Sequence, residues 1–179
     1  VPGSVGGAVR QNAGCFGVET RDRMTKATIV DIGQRREFEA TPDELEMSYR
    51  HSNVASDWVV VSATFEGTSD DVAGSKDELR EITRWRKENQ PGGTLNAGSV
   101  FKNPEGISAG ALIDQAGLKG HSIGGVSVSE KHANFFVAKS DASSSDVRAL
   151  SFEFRDLVEA RAGVRLEPEI RMVGFDDDH

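Results

Sequence analysis

Five short stretches of this chain combine residue types that can do chemistry. The first, Pro2-Gly3-Ser4-Val5-Gly6-Gly7, is followed closely by Asn12-Ala13-Gly14-Cys15-Phe16-Gly17. Residues without a Cβ let backbone N–H groups converge on a phosphate, so this pair has the composition of an anion cradle, although a plain turn uses the same residues. It is not a dinucleotide fingerprint, because no G-x-G-x-x-G follows a strand. Tyr49-Arg50-His51-Ser52 sets a guanidinium beside an aromatic ring; a surface Arg next to a core Tyr gives the same pattern. Asn96-Ala97-Gly98-Ser99-Val100-Phe101-Lys102-Asn103-Pro104 surrounds Ser99 with small residues and places ammonium and amide donors just beyond. Such a permissive loop can present a hydroxyl to a substrate. A hydrolase triad is not expected there, since the G-x-S-x-G elbow is missing. Leu166-Glu167-Pro168-Glu169 puts a carboxylate on each side of a proline, which implies a strand edge or bulge and is equally consistent with solvated edge charge.

The elements that must position these residues follow from periodicity and punctuation. The glycine density of Val1–Gly17 predicts tight turns rather than a regular element. Thr25–Ile32 and Glu37–Ala40 read as strands, and Thr41-Pro42-Asp43-Glu44 as a capping box opening a short helix. Trp58–Phe65, rich in Val and aromatics, predicts a buried strand. Ser75 with Glu78 predicts a second capping box, ahead of a helix carrying Leu79, Ile82 and Trp85 that Pro91-Gly92-Gly93 ends as a hinge. Ser108 is expected to cap a short helix bearing Leu112, Ile113 and Ala116, with Gly117 its stop. Gly124-Gly125 turns the chain into β segments at Val126–Val128 and Ala133–Val137. The longest helix is expected from about Asp146 to Ala162, with Val147, Leu150, Phe154, Leu157 and Val158 on one apolar stripe. Arg165–Leu166 and Ile170–Val173 read as closing strands, and Asp176-Asp177-Asp178-His179 as a solvated tail. Strands and helices without regular βαβ alternation predict an α+β fold.

Composition narrows the function class. Against 21 Lys and Arg stand 29 Asp and Glu, net −8, so neither nucleic acid nor an anionic membrane is the expected partner. One cysteine forms no internal disulfide, and no Cys/His cluster has zinc spacing, so no metal site is expected. No apolar run of about 18 residues occurs and no signal peptide is recognisable. These features predict a soluble, cytoplasmic chain without membrane insertion. Because it begins at Val1, already inside a glycine motif, it is expected to be the later part of a longer protein.

Taken in order, the motifs resemble the UDP-N-acetylenolpyruvoylglucosamine reductase family. The likeness rests on Pro2–Ala8 with Asn12-Ala13-Gly14, Tyr49-Arg50-x-Ser52, Gly98–Pro104, Leu112-Ile113-Asp114 through Gly117-Leu118-Lys119-Gly120, His132-Ala133-Asn134-Phe135 and Leu166–Glu169. The short stretch between Tyr49-Arg50 and Gly98-Ser99 is similar to the family's second type. The resemblance implies reduction of UDP-N-acetylglucosamine enolpyruvate to UDP-N-acetylmuramate for peptidoglycan, with FAD as cofactor and NADPH as reductant. It also implies a partial FAD-binding domain of the vanillyl-alcohol-oxidase-like kind at 1–90 plus 170–179, and an α+β substrate-binding domain at 91–169.

The chemistry implied by the family explains the residue types. Hydride addition to the terminal carbon of an enol ether drives negative charge toward the substrate carboxylate, where it must be stabilised and then protonated. Arg50 matches the arginine that clamps the carboxylate, Ser99 the proton donor, and Glu169 a third catalytic group that helps as a protonated or hydrogen-bonding carboxyl. Pro2, Gly3, Ser4, Gly6, Gly7, Asn12 and Gly14 match the FAD-binding segment. Tyr49, Asn103, Lys119 and His132 match substrate contacts, with Arg84, Arg86 and Lys87 as further phosphate contacts or simply a solvated helix face. Cys15 reads as packing. Since family members have an upstream part that completes the FAD site, the chain alone is expected to bind FAD poorly and to be inactive. Two alternatives stay open: another FAD-linked oxidoreductase of the same superfamily, and a non-catalytic UDP-sugar-binding fragment.

Overall fold

The computed structural model describes residues 3–69 and 72–175. The chain divides into two compact units, Val1–Asp71 and Val72–His179. Both mix helices with antiparallel sheet, as the α+β expectation required.

The first unit opens with a helix, α1 (Val5–Gln11), where turns were expected. Capping accounts for the difference. Ser4 Oγ accepts the Gly7 N–H at 3.1 Å, and Asn12 closes the helix in the left-handed region at φ 44°, so both ends are stabilised against the intrinsic cost of glycine in a helix. Gly6 faces β5, where a Cβ would make only ordinary contact with the Val60 carbonyl, at 3.5 Å. A hairpin of two-residue strands, β1 (Gly14–Cys15) and β2 (Val18–Glu19), follows, too short for any alternation to reveal. Cys15 is exposed on it, so it is not a packing residue.

The main sheet of this unit has the order β4-β3-β5, from β3 (Met24–Asp31), β4 (Arg36–Ala40) and β5 (Trp58–Phe65). Ile29 pairs with Phe38 on one side and Val60 on the other. Val9 of α1, Met24, Ala27, Ile29, Ala40, Leu45, Met47 and Val54 form its core. β5 lies where expected but is not buried, with Val59 47% and Val61 59% exposed. The capping box at Thr41 is present, Thr41 N–H donating to Glu44 Oε2 at 2.7 Å, which lowers the Glu44 pKa. It closes only a turn: Glu46 adopts φ 47° and no helix propagates.

The second unit begins with α2 (Val72–Asn89), which starts upstream of Ser75, leaving that residue inside the helix rather than at its cap. None of its residues is buried. α3 (Ala109–Gln115) is capped by Ser108 as expected. A small sheet of order β6-β7-β8 comprises β6 (Ser122–Ile123), β7 (Val126–Val128) and β8 (Phe136–Ala138). Gly125 admits no side chain in the turn entering β7, since a Cβ would come within 2.6 Å of the Ala142 Cα. α4 (Ser144–Ala162) has a capping box between Ser143 and Asp146 and ends at Gly163, φ 69°. The bonds that Asp146 accepts from the Ser143 and Gly125 backbones hold its carboxyl below the usual carboxylate range.

Leu150, Phe154 and Val158 on the buried stripe of α4 pack with Phe101, Leu112, Ile113, Val126, Val128, Phe136 and Leu166. The closing strands expected at Arg165–Leu166 and Ile170–Val173 do not form; around them only Pro168 makes an isolated bridge, with Phe101. Proline has no N–H to extend a ladder, so pairing is confined to single bonds beside it. The β segment foreseen at Ala133–Val137 narrows to β8, with Ala133 and Asn134 in a turn and Phe135 making an isolated bridge to Ser99. Asp176–His179 lie outside the described residues.

Candidate functional site

In the first unit the glycine segment and the Tyr49–Ser52 segment meet. Ser52 Oγ donates to the Arg10 carbonyl at 2.7 Å, and Arg10 Nη1 returns a bond to the Ser52 carbonyl at 2.9 Å. Between Ser48 and His51 the backbone folds into a tight turn with reciprocal N–H to O=C bonds of 3.1 and 3.0 Å. Arg50 sits at its corner with φ 52°, a left-handed conformation that costs a non-glycine residue free energy and marks positions held by their surroundings. Its guanidinium lies 5.0 Å from the Tyr49 ring centroid, and Nη2 donates to the Gly14 carbonyl at 3.0 Å.

Asn12 is the hub beneath that turn. It is fully buried; its Nδ2 donates to Glu19 Oε2 at 2.7 Å and to the Ser48 carbonyl at 2.9 Å, while Oδ1 accepts the Arg21 N–H at 2.9 Å. Its side-chain amide thus joins the β1–β2 hairpin to the turn bearing Arg50. Gly3, Ser4, Gly6 and Gly7 line the opening of α1, whose first N–H groups have no carbonyl partner within the helix. Gly14 is packed tightly, a Cβ there meeting Glu19 Cγ at 2.8 Å. Pro2 lies outside the described residues.

The second unit brings Ser99 and Glu169 onto one strip of backbone. Ser99, partly buried, makes an antiparallel bridge to Phe135. The next residue, Val100, donates its N–H to the Asn134 carbonyl at 2.9 Å and accepts the Glu169 N–H at 2.8 Å. Lys102 N–H then bonds the Glu167 carbonyl at 2.8 Å, and the two side chains form an ion pair. Residues 99–102 therefore run between 134–135 and 167–169, which fixes Ser99 and Glu169 relative to each other.

Asn103 and His132 flank the start of α3. Asn103 Oδ1 accepts the Ala109 N–H at 3.0 Å, and His132 lies beside Gly110, with its ring 4.6 Å from that of Phe135. Lys119, past the end of α3, pairs with Asp114 at 2.8 Å. Arg84 and Lys87 are exposed on α2, Arg86 less so; the Lys87 carbonyl accepts a bond from Lys131 Nζ. Among the described residues no group of three or more His, Cys, Asp or Glu is placed to hold a metal ion, and no helix is long and apolar enough to cross a membrane.

Partial burial lowers the pKa of His132, its own backbone hydrogen bond opposes that, and the charge of Lys119 adds to the lowering. Its Nδ1 accepts the Asn134 N–H at 3.3 Å, which leaves the proton of the neutral ring on Nε2. The unfolded chain binds a proton near the ordinary 6.5 while the fold still resists it, so the stabilising contribution of the neutral ring is complete above that pH and is lost as pH falls through the lowered value. His132→Gln should flatten the stability profile of the chain as pH falls below the ordinary 6.5 in urea melts. Identical slopes for the two proteins would exclude this role.

Sequence reasoning passed over the side chain of Asn134. It is 2% exposed, and it donates through Nδ2 to the Phe101 carbonyl at 2.8 Å while accepting the Phe101 N–H on Oδ1 at 3.0 Å. The available signal was an amide within the otherwise apolar run Ala133–Val137, because a buried amide is normally there to bond something specific.

The family model described as UDP-N-acetylenolpyruvoylglucosamine reductase, C-terminal domain, matches residues 90–173. The reductase of that name from Parvibaculum lavamentivorans is 41% identical over 175 residues, 98% of this chain and 56% of that protein. Its counterpart from Agathobacter rectalis is 43% identical over 175 residues, 97% and 55% respectively. Residues 90–173 carry the C-terminal domain of this reductase family, and nearly the whole chain is similar to the reductases themselves. A crystal structure of UDP-N-acetylenolpyruvylglucosamine reductase from Thermus caldophilus has a TM-score of 0.82 at 33% identity, covering 96% of this chain and 60% of that one. The chain thus spans little more than half the length of the curated reductases it matches.

Proposed function

We propose that this chain carries substrate-handling residues of an FAD-dependent, NADPH-driven oxidoreductase that converts UDP-N-acetylglucosamine enolpyruvate to UDP-N-acetylmuramate in peptidoglycan synthesis in the cytoplasm. The observation that carries the proposal is the Val100 carbonyl, which joins the Ser99 segment to Glu169 through a 2.8 Å bond within a chain similar to these reductases. Residues 91–169 serve as the substrate-binding domain, a reading supported by the family match over 90–173; residues 1–90 and 170–179 serve as part of the FAD-binding domain.

The residues of the first unit fit a flavin nucleotide. Apart from the Gly7 N–H, which Ser4 Oγ accepts, backbone N–H groups at the opening of α1 are donors for a diphosphate, and a Cβ at Gly3 would meet nothing within 4 Å. Gly3, Ser4, Gly6, Gly7 and Gly14 would hold the group with Pro2, and Asn12 would support that segment from beneath through its buried amide. When bound, FAD supplies the hydride that NADPH delivers. The chain alone, without the rest of the relatives' length, binds FAD weakly and does not turn over.

Toward the substrate each side chain has a separate task. Arg50 pairs with the carboxylate, and the pairing strengthens as enolate charge develops, which lowers the barrier rather than merely tightening binding. The strained turn and the bond to Gly14 hold that guanidinium in place before substrate arrives. Ser99 gives its hydroxyl proton to the substrate carbon next to the carboxylate, and a new C–H bond forms as the O–H bond breaks. Glu169 is the third catalytic group, hydrogen-bonding where charge accumulates. Tyr49, Asn103, Lys119 and His132 bind the UDP-sugar, an ammonium and an amide suiting its diphosphate, with Arg84, Arg86 and Lys87 adding positive charge. Titrating UDP-N-acetylglucosamine enolpyruvate into the chain should shift the backbone NMR signals of Asn103, Lys119 and His132. Saturating ligand with those signals unmoved would count against a substrate site in this unit.

A further inference from the structure

We propose that Asn134 is a positioning residue for the proton donor, locking the backbone that carries Ser99 and holding it against Glu169. The inference rests on the reading of Ser99 as donor. Before Ser99 the loop is tied at Leu95, whose carbonyl accepts the Ala138 N–H at 2.8 Å, and by the Gly98 N–H to Asn96 Oδ1 at 3.0 Å, but Asn96 and Ala97 are exposed and Gly98 has φ 81°. The buried anchors come from the residues after it, Val100 and Phe101. There Asn134 makes three bonds to two consecutive residues: its carbonyl accepts from Val100, and its side-chain amide both donates to and accepts from the Phe101 backbone. A carboxamide has the same donor and acceptor as a peptide group, so at Phe101 it continues the pairing that the backbone of Asn134 and Phe135 gives to Val100 and Ser99.

Phe101 is 1% exposed, so without that amide its N–H and C=O would be left buried and unpaired. An unpaired buried group costs far more than a typical bond contributes, and the segment would move to relieve it. Such movement displaces Ser99, two residues upstream, and Glu169, bonded to Val100 between them. The N–H of Asn134 also bonds His132 Nδ1, so one buried residue ties a proposed substrate contact to the proposed donor.

The test is a double-mutant cycle in the full-length, FAD-loaded protein, with the two half-reactions followed separately by stopped flow. Asn134→Ala should slow oxidation of the reduced flavin by UDP-N-acetylglucosamine enolpyruvate about a hundredfold and leave flavin reduction by NADPH unchanged. Added to Ser99→Ala, it should cost less than about threefold more, because it acts through the group already removed. An unchanged substrate half-reaction, or full multiplication of the two effects, would overturn the proposal. Should Ser99→Ala alone leave the substrate half-reaction untouched, the donor reading fails, and positioning with it. A normal Ser99 effect without any from Asn134 defeats positioning alone.

If Asn134→Ala does not fold, Asn134→Asp takes its place. It keeps the shape and the acceptor for the Phe101 N–H but turns an oxygen toward the Phe101 carbonyl. On the chain by itself, hydrogen exchange at Val100, Phe101 and Glu169 should then rise about tenfold or more with α4 unaffected. Unaltered protection at those amides would also refute the assignment.

Discussion

Under the proposed mechanism, replacing Ser99 with alanine in the full-length, FAD-loaded protein should slow reduction of UDP-N-acetylglucosamine enolpyruvate by about 10²–10⁴-fold and leave the reduction of flavin by NADPH at its original rate. The magnitude is that of a lost general acid. The selectivity follows from the proposed role of the hydroxyl, which is to protonate substrate carbon without taking part in the arrival of hydride from NADPH. Alanine removes one oxygen and keeps the backbone, so the bonds from Val100 to Asn134 and Glu169 remain, and Ser99 is only partly buried. Stability should change little. Stopped-flow traces of both half-reactions decide the matter, and equal slowing of the two would remove Ser99 from the role of donor.

Phe154→Ala lowers the stability of the second unit by about 3–5 kcal/mol. Phe154 is fully buried and its ring meets that of Phe136 edge to face, 5.5 Å between centroids, while Phe136 meets Phe101 at 6.1 Å. This row of rings links the stripe of α4 through β8 to the residue two places beyond Ser99. Truncation removes aromatic contact area and leaves a void that a close-packed interior cannot fully collapse. Urea unfolding of the chain, monitored on the second unit, measures it. A loss below about 1 kcal/mol would show that this row is not the centre of the core.

The parts of the fold that the sequence disclosed are those with long periodicity or a local cap. The stripe of α4, the Ser108 cap of α3 and the runs of β3, β4 and β5 are legible because their residues repeat the element's own period or satisfy its first N–H groups. α1 was hidden because glycine density favours turns, while the deciding terms were a cap at Ser4, the left-handed close at Asn12 and the burial of Val9 in the core. Thr41 to Glu44 shows the converse: a complete capping box that yields only a turn, since a cap does not supply the residues that propagate a helix. The burial expected of β5 failed at Val59 and Val61 because composition cannot say which faces of a strand are covered.

At the site, motif order pointed to Ser99, Arg50 and Glu169, but their supports were not visible in any motif. Asn12 and Asn134 work through buried amides bonded to residues 36 and 33 positions away. Contacts of such separation exist only once the chain has folded. The strain at Arg50 is hidden for the same reason, since its φ of 52° is imposed by the turn between Ser48 and His51.

The most direct measurement mixes the full-length protein with FAD, NADPH and UDP-N-acetylglucosamine enolpyruvate, and follows NADPH absorbance while mass spectrometry identifies the sugar product. NADPH should be consumed only when the enolpyruvyl substrate is present, in equal amount, with UDP-N-acetylmuramate appearing as two hydrogens are added. Consumption of NADPH with the enolpyruvyl group left unreduced would contradict the proposed reaction.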